Sequence, residues 1–197
     1  MDLPPAGPST AAVAGLLLAA GAGRRYGMPK ALVVYQGRLL VQRASDTLAA
    51  GGCSPIRVVL GAAAGRVREL APDLPPAVDN PDWPTGMGSS LRAGLAALAG
   101  TPAVAVVVLL VDMPGVTPEA VRRLATLGDP GALAMGGYDG RRGHPVLLGR
   151  DHWAGVATAA TGDKGARDYL RAHAELVRVV PVADVADDTD LDEPPAG

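Results

Sequence analysis

No phenylalanine occurs in this chain of 197 residues, and aromatic side chains of every kind make up only 3%. Yet 48% of the residues are hydrophobic, so the core must be built from alanine, valine and leucine. Such side chains suit a parallel sheet buried on both faces beneath helices rich in small residues. A chain of this length is one domain, or a domain and a half. It buries roughly 70% of the surface it would expose unfolded, without staples. There is one cysteine, Cys53. An internal disulfide and a cysteine-rich metal site are therefore excluded, and a lone thiol in the turn "GGCSP" reads as incidental rather than catalytic. The formal net charge is −2, with no basic surplus of the kind that binds nucleic acid or an anionic membrane. The longest apolar run, Ala103 to Val111, is far short of the ~18 residues that would span a bilayer. Met1 to Ala14 carries no Lys or Arg but has Pro4, Pro5 and Pro8. It lacks the charged start of a signal peptide and reads as a disordered lead-in over residues 1–12. These features predict a soluble, cytoplasmic protein with neither a nucleic-acid nor a membrane partner. Lysine is scarce too: Lys30 and Lys164 stand against sixteen arginines. Where arginine is so favoured, a retained lysine suggests a need for a compact ammonium.

What is present is an alternation of strands and helices. Val13 to Ala19 is a short continuous apolar run, the mark of a strand buried on both faces. Ile56 to Leu60, Ala77 to Val78, Ala103 to Val111 and Leu176 to Val180 read as further strands. Helices are expected over Leu39 to Ala50, Arg66 to Leu70, from a cap at Ser89 or Ser90 to about Leu98, from Thr117 to near Gly128, and over Gly165 to His173. Leu133 to Met135 and Pro145 to Leu148 flank a glycine-rich turn and form a hairpin. The pattern predicts a three-layer α/β fold over residues 13–190, with a mostly parallel sheet, a small antiparallel hairpin and a tail at 191–197. Ligands in such sheets bind beyond the C-terminal ends of the strands. That directs attention to Ala20 to Lys30, Asp79-Asn80 and Asp112.

The stretch "GLLLAAGAGRRYGMPK", Gly15 to Lys30, couples a buried strand to a loop containing Gly21, Gly23 and Gly27. The dinucleotide fingerprint needs its third glycine one residue earlier and a helix opening at once. Here Arg24, Arg25 and Pro29 intervene. A P-loop is excluded by the lack of G-K-[ST]. What remains is a wide glycine loop whose N–H groups can turn inward, with Arg25 and Lys30 adding charge. That suits a triphosphate.

These residues resemble the signature loop of the nucleotidyltransferases related to the molybdenum cofactor guanylyl- and cytidylyltransferases, L-A-[AG]-G-x-(G/S)-x-R-M-G-x-x-K. Leu18, Ala19, Ala20, Gly21, Gly23, Arg25, Gly27 and Lys30 match, and Tyr26 replaces the usual Met. "NPDWPTGMGSSLRAGL" (Asn80 to Leu95) resembles the second nucleotide loop, "VDMP" (Val111 to Pro114) the metal turn, "RGHPVLL" (Arg142 to Leu148) the acceptor-side hairpin, and "GDKGARDYL" (Gly162 to Leu170) a later loop of the site. The resemblance implies a Rossmann-like nucleotidyltransferase fold. It also implies transfer of a nucleoside monophosphate from an NTP to a phosphate acceptor, with Mg²⁺ assistance and release of pyrophosphate. On that basis Arg25, Lys30 and Asp112 are catalytic. Leu18, Ala19, Ala20, Gly21, Gly23, Asn80, Gly86 and Ser89 join Arg25 and Lys30 in binding the nucleotide. Asp112 holds the metal, with Asp190 or Asp188 of "DDTDLDEP" as a second ligand. His144, Asp163 and Lys164 fall on the acceptor side. Trp83 either stacks on the base or closes a turn. His152 and His173 have no motif context.

Within the resembling group, Ala at the third loop position, as in Ala20, goes with cytidylyl transfer, and Gly with guanylyl transfer. The expectation is CTP with a molybdopterin-type cofactor as acceptor, and a molybdoenzyme as recipient of the product. One methyl discriminates by only ~1–3 kcal/mol, so other NTPs stay open. Three rivals stand beside this reading: transfer to a sugar phosphate or other small phosphate, an NAD(P)H-binding oxidoreductase, and a cofactor chaperone that transfers nothing.

Overall fold

A computed structural model describes residues 12–191. The expected lead-in and tail therefore lie, but for Ala12 and Leu191, outside the described residues. The first apolar run forms strand β1 (Val13–Ala19), buried at every position. A two-residue hairpin follows, β2 (Val34–Tyr35) with β3 (Arg38–Leu39), which sequence reading does not anticipate. Helix α1 (Leu40–Ala50), β4 (Ile56–Leu60), α2 (Ala64–Leu70), β5 (Ala77–Asp79), α3 (Met87–Leu98), β6 (Ala105–Leu110) and α4 (Pro118–Ala125) continue the alternation. Then come β7 (Leu133–Tyr138), β8 (Arg141–Gly149), α5 (Trp153–Ala159), α6 (Arg167–Ala172) and β9 (Val177–Pro181).

Seven strands form one sheet in the order β5-β4-β1-β6-β8-β7-β9. Every neighbouring pair is parallel except those involving β8, which runs antiparallel to β6 and β7. This is the expected Rossmann-like, mostly parallel α/β architecture. Alternation along the strands sends side chains to two cores. Val13, Leu17 and Ala19 join α1, α2 and α4 on one face, and Ala14, Leu16 and Leu18 join α3, α5 and α6 on the other. None of the described helices is long and apolar enough to cross a membrane.

Several expectations need correction. Helix α3 starts at Met87 with Gly86 as its cap (φ 112°), so neither Ser89 nor Ser90 caps it. Both hydroxyls lie in the first turn, held by Asn80. Helix α4 ends at Ala125 rather than near Gly128, although Thr117 caps its start as expected, accepting the Ala120 N–H at 3.3 Å. The glycine-rich turn is mostly strand. Asp139 and Gly140 have φ of 48° and 86°, the two left-handed residues of a tight hairpin turn, so β7 and β8 pair through Gly136, Gly137 and Gly143. Helix α5 is short and buries only Trp153 and Val156, too little periodicity to read from sequence.

Helix α3 lies close on the sheet because Gly94 has no side chain. A Cβ there would sit 2.4 Å from Leu16 Cδ1, and Leu16 is fully buried. Alanine gains about 1 kcal/mol over glycine in a helix interior, but overpacking a core costs typically 1–3 kcal/mol. Gly94→Ala is expected to lower the unfolding free energy by about 1 kcal/mol, read from the urea midpoint; an unchanged or raised midpoint would show that the contact is slack.

Candidate functional site

Strand order fixes where a site forms. β1 and β6 are parallel neighbours, and the connection from β1 goes out to β4 on one side while β6 lies on the other. At such a switch point the loops leaving two adjacent strands part and open a crevice. The Val111 N–H still bonds the Leu18 carbonyl at 3.2 Å, so pairing holds to the floor of the crevice. Above it is a cavity of about 540 Å³, within the range of small-molecule sites, lined by Ala20 to Arg25, Lys30, Trp83, Pro84, Gly86, Met87, Ser90, Asp112, Asp163 and Asp190, among others.

One wall is the glycine loop. Gly23 (φ +60°) accepts the Gly27 N–H on its carbonyl at 2.9 Å, and a Cβ on Gly23 would lie 1.9 Å from the Met28 carbonyl oxygen. No side chain fits there. The turn carries Arg24 and Arg25 along the cavity and delivers Lys30 at the start of a single 3₁₀ turn, Lys30–Leu32. Facing it is the turn after β6. Lys30 Nζ donates to Asp112 Oδ2 at 2.8 Å, with the two side chains 14% and 21% exposed. The basic turn and the acid expected opposite it are thus in direct contact.

The second nucleotide loop works differently from expectation. Asn80 is buried. Its Nδ2 donates to Ser89 Oγ (2.8 Å) and Ser90 Oγ (3.0 Å), and its Oδ1 accepts the Asp82 N–H (3.0 Å). The single Ser89 hydroxyl proton has two acceptors in reach, the carbonyls of Asp82 (2.9 Å) and Gly86 (2.8 Å). Asn80 and Ser89 therefore brace the loop, while Gly86, Met87 and Ser90 line the cavity. A Cβ on Gly86 would meet Gly162 at 2.4 Å, which brings Asp163 to the cavity beside the start of α3, its Oδ1 3.4 Å from the Met87 N–H. Trp83 lines the same cavity against Gly61, where a Cβ would be 2.7 Å from the indole. Arg24, Met87 and Ser90 are cavity residues that sequence reading does not assign to the nucleotide, while Trp83, read as either stacking on the base or closing a turn, lines the cavity. Arg24 was legible as the variable position next to Arg25.

The acidic C-terminal segment is docked. Asp187 N–H bonds the Gly115 carbonyl (3.1 Å) and Leu191 N–H bonds the Asp112 carbonyl (2.8 Å). This lays residues 187–191 along the metal turn and brings Asp190 to the cavity with Asp112. Asp188 points elsewhere, to Arg141 at 3.1 Å. Of the two candidate second ligands, Asp190 shares the site. Among the described residues no cluster of three or more His, Cys, Asp or Glu could hold a metal. Two carboxylates with the remainder supplied by water and phosphate oxygens match the habit of Mg²⁺, so this donor set fits that ion.

Lys164 is directed away, to Asp168 at 2.9 Å, and does not line the cavity. His144 lines a separate small apolar space with Met87, Leu91 and Gly165. Burial pushes its imidazole down to about 4, against the opposing pull of Asp112 and Asp188. The Tyr138 hydroxyl donates to its carbonyl at 2.5 Å, and burial, with Asp188 and Asp187 nearby, pushes that phenol up to about 12.

The family model described as the MobA-like NTP transferase domain matches residues 15–177. The chain belongs to that family. Membership makes it a nucleotidyltransferase-type protein, with an NTP and a phosphate-bearing acceptor as the implied substrates. Among relatives of this MobA-like chain, nicotine blue oxidoreductase of Paenarthrobacter nicotinovorans is 42% identical over 190 residues, covering 91% of this chain and 92% of that protein. Molybdenum cofactor guanylyltransferase of Rhodobacter capsulatus is 35% identical over 143 residues, 72% of this chain and 65% of that protein. Among solved structures, Rv0371c from Mycobacterium tuberculosis H37Rv superposes with a TM-score of 0.80 at 27% identity, covering 93% of both chains. The complex of Rv0371c with manganese gives a TM-score of 0.75 at 29% identity, covering 91% of this chain and 93% of that one.

Two outcomes follow from the geometry. Gly23→Ala is expected to weaken NTP binding by at least about tenfold, since the strained turn must open, while the melting temperature moves by only a few degrees; undiminished binding in calorimetry would show that the loop does not hold the nucleotide. His144 is favoured neutral in the fold and takes up a proton more readily unfolded. Its contribution to stability is therefore complete above the unfolded value near 6.5 and is lost as pH falls from there toward 4. His144→Gln should flatten the stability profile between pH 6.5 and 4, measured by urea unfolding, and an identical slope in both proteins would exclude this origin.

Proposed function

We propose that the protein is a Mg²⁺-dependent nucleotidyltransferase that moves CMP from CTP to the phosphate of a molybdopterin-type cofactor, releasing pyrophosphate. One observation carries the reading: Lys30 and Asp112 meet at 2.8 Å in a cavity that also takes in the glycine loop, Arg25 and Asp190. That cavity has cations on the side where a triphosphate would lie and acids on the side where an ion would lie.

An acceptor phosphate is an anionic nucleophile approaching an anionic centre, so catalysis is mostly alignment and charge neutralisation. An oxygen of the acceptor forms a bond to the α-phosphorus. The bond from that phosphorus to the bridging oxygen breaks, and its electron pair leaves with pyrophosphate. Lys30 would exchange Asp112 for the β- and γ-phosphates, joined by Arg25 and the inward N–H groups of the loop. Asp112 and Asp190 would hold Mg²⁺, which supplies charge neutralisation at the reacting phosphates. The manganese complex of the Rv0371c relative supports a divalent ion on this fold, and the guanylyltransferase relative supports a molybdenum-cofactor acceptor. The choice of base rests chiefly on Ala20. It is buried where β1 ends, and its carbonyl accepts the Ala62 N–H at 3.0 Å, so its methyl is a fixed part of the cavity wall.

The nicotine blue oxidoreductase relative, similar over nearly its full length, favours a second reading in which the same cavity takes a pyridine dinucleotide. The late third glycine and the acids in the cavity weigh against a second anionic ligand of that kind. The two separate in one set of titrations. CTP with Mg²⁺ should raise the melting temperature more than GTP does, and pyrophosphate should appear on addition of the molybdopterin cofactor. GTP stabilising more would overturn the base, and pyrophosphate release with sugar phosphates alone would overturn the acceptor. Saturable NADPH binding without Mg²⁺, with no response to any NTP, would replace the reaction by the oxidoreductase reading. Asp112→Asn should lower turnover by about 10³-fold, in the range for loss of a group that stabilises transition-state charge; a variant retaining full turnover would remove Asp112 from the reaction, and no turnover by the unmodified protein with any triphosphate would leave the chaperone reading standing.

A further inference from the structure

Behind the Asp112 turn lies a second cavity, of about 310 Å³, between α1 and the segment Val111 to Pro118. Val111 lines both cavities. Asp112 faces the first, and Met113 and Pro114 face the second. The second cavity's walls are largely apolar, with Leu40, Ala44, Leu109 and Val116 among them. Two arginines reach it. Arg38 is exposed at the rim and already paired with Asp46, so those two charges cancel. Arg43 is different. Among the described residues its guanidinium has no hydrogen-bond acceptor and no carboxylate. Its Nε is buried without a partner, and its contact is the Tyr35 ring, 5.3 Å from Cζ to centroid. A buried donor without an acceptor is costly, more so when charged, and a cation over an aromatic face recovers only part of that cost. Nothing in the nucleotidyl-transfer chemistry uses this residue.

We propose that this cavity is a second ligand site, which takes a small organic monoanion: a carboxylate on an aromatic or aliphatic body. One uncompensated cation calls for one negative charge, and a phosphate dianion would leave a charge unmatched in an apolar setting. The planar guanidinium fork matches a carboxylate in two parallel hydrogen bonds. The apolar walls take the body of the ligand, and the volume is at the small end of ligand pockets. The assignment does not depend on which nucleotide fills the first cavity.

Benzoate is a suitable probe, with benzamide as its neutral counterpart. In the full-length chain labelled with ¹⁵N-arginine, benzoate titration should shift the Arg43 Nε–H resonance saturably. Benzamide should need at least about tenfold more, equivalent to ~1.4 kcal/mol. Arg43→Leu, and Ala44→Met, which fills the cavity without touching a charge, should each abolish saturable benzoate binding in calorimetry while leaving CTP–Mg²⁺ binding intact. A non-saturating shift, equal affinity for benzamide, binding that persists in both variants, or a response confined to Arg24 and Arg25 would each overturn the proposal. If a variant fails to fold, the benzoate–benzamide comparison on the unmodified protein decides.

Discussion

Two opposite charges meeting across the ends of two neighbouring strands hold the candidate site together. Lys30 leaves β1 by way of the glycine loop, and Asp112 leaves β6 directly. Because the strands are parallel and adjacent, their exits are forced side by side. A partly buried ion pair of this kind has Coulomb energy on the order of 4 kcal/mol at an intermediate dielectric, and desolvation offsets most of it. Its net effect on stability is therefore small. Its effect on arrangement is larger: an ammonium and a carboxylate are kept partly desolvated and aligned across the mouths of two strands.

The rest of the scaffold serves to keep these groups in place. Asn80 ties two serine hydroxyls and the Asp82 amide into one knot at the entrance to α3. Gly23, Gly61 and Gly86 mark the places where backbone approaches backbone or indole too closely for a side chain. Strand β8 alone runs against the direction of the sheet, and it places His144 near enough to Asp112 for the carboxylate's charge to act on the imidazole.

Much of this was legible because the signals were local. Val13 to Ala19 and Ile56 to Leu60 are continuous apolar runs bounded by turns, and both form as strands at those bounds. The position of Asp112 follows from the strongest strand in the chain and the rule that ligands gather at strand ends. Features set by long-range contacts were not legible. Asn80 and Ser89 look like ligands in a loop motif, and only packing shows their side chains satisfied by each other. Lys164 stands in a motif but is captured one helical turn on by Asp168. The split between Asp188 and Asp190 depends on Arg141, forty-seven residues away in sequence from Asp188, which no spacing rule connects to an acidic segment.

The docking of residues 187–191 along the Asp112 turn brings two distant parts of the chain to one cavity. Asp112 follows β6 directly, whereas Asp190 reaches the same cavity because the segment beyond β9, at the sheet's edge, comes back past β7 and β8. The two acids of the cavity are thus held by different parts of the chain, one at the end of an interior strand and the other on a segment tied to that turn by backbone hydrogen bonds at Gly115 and Asp112.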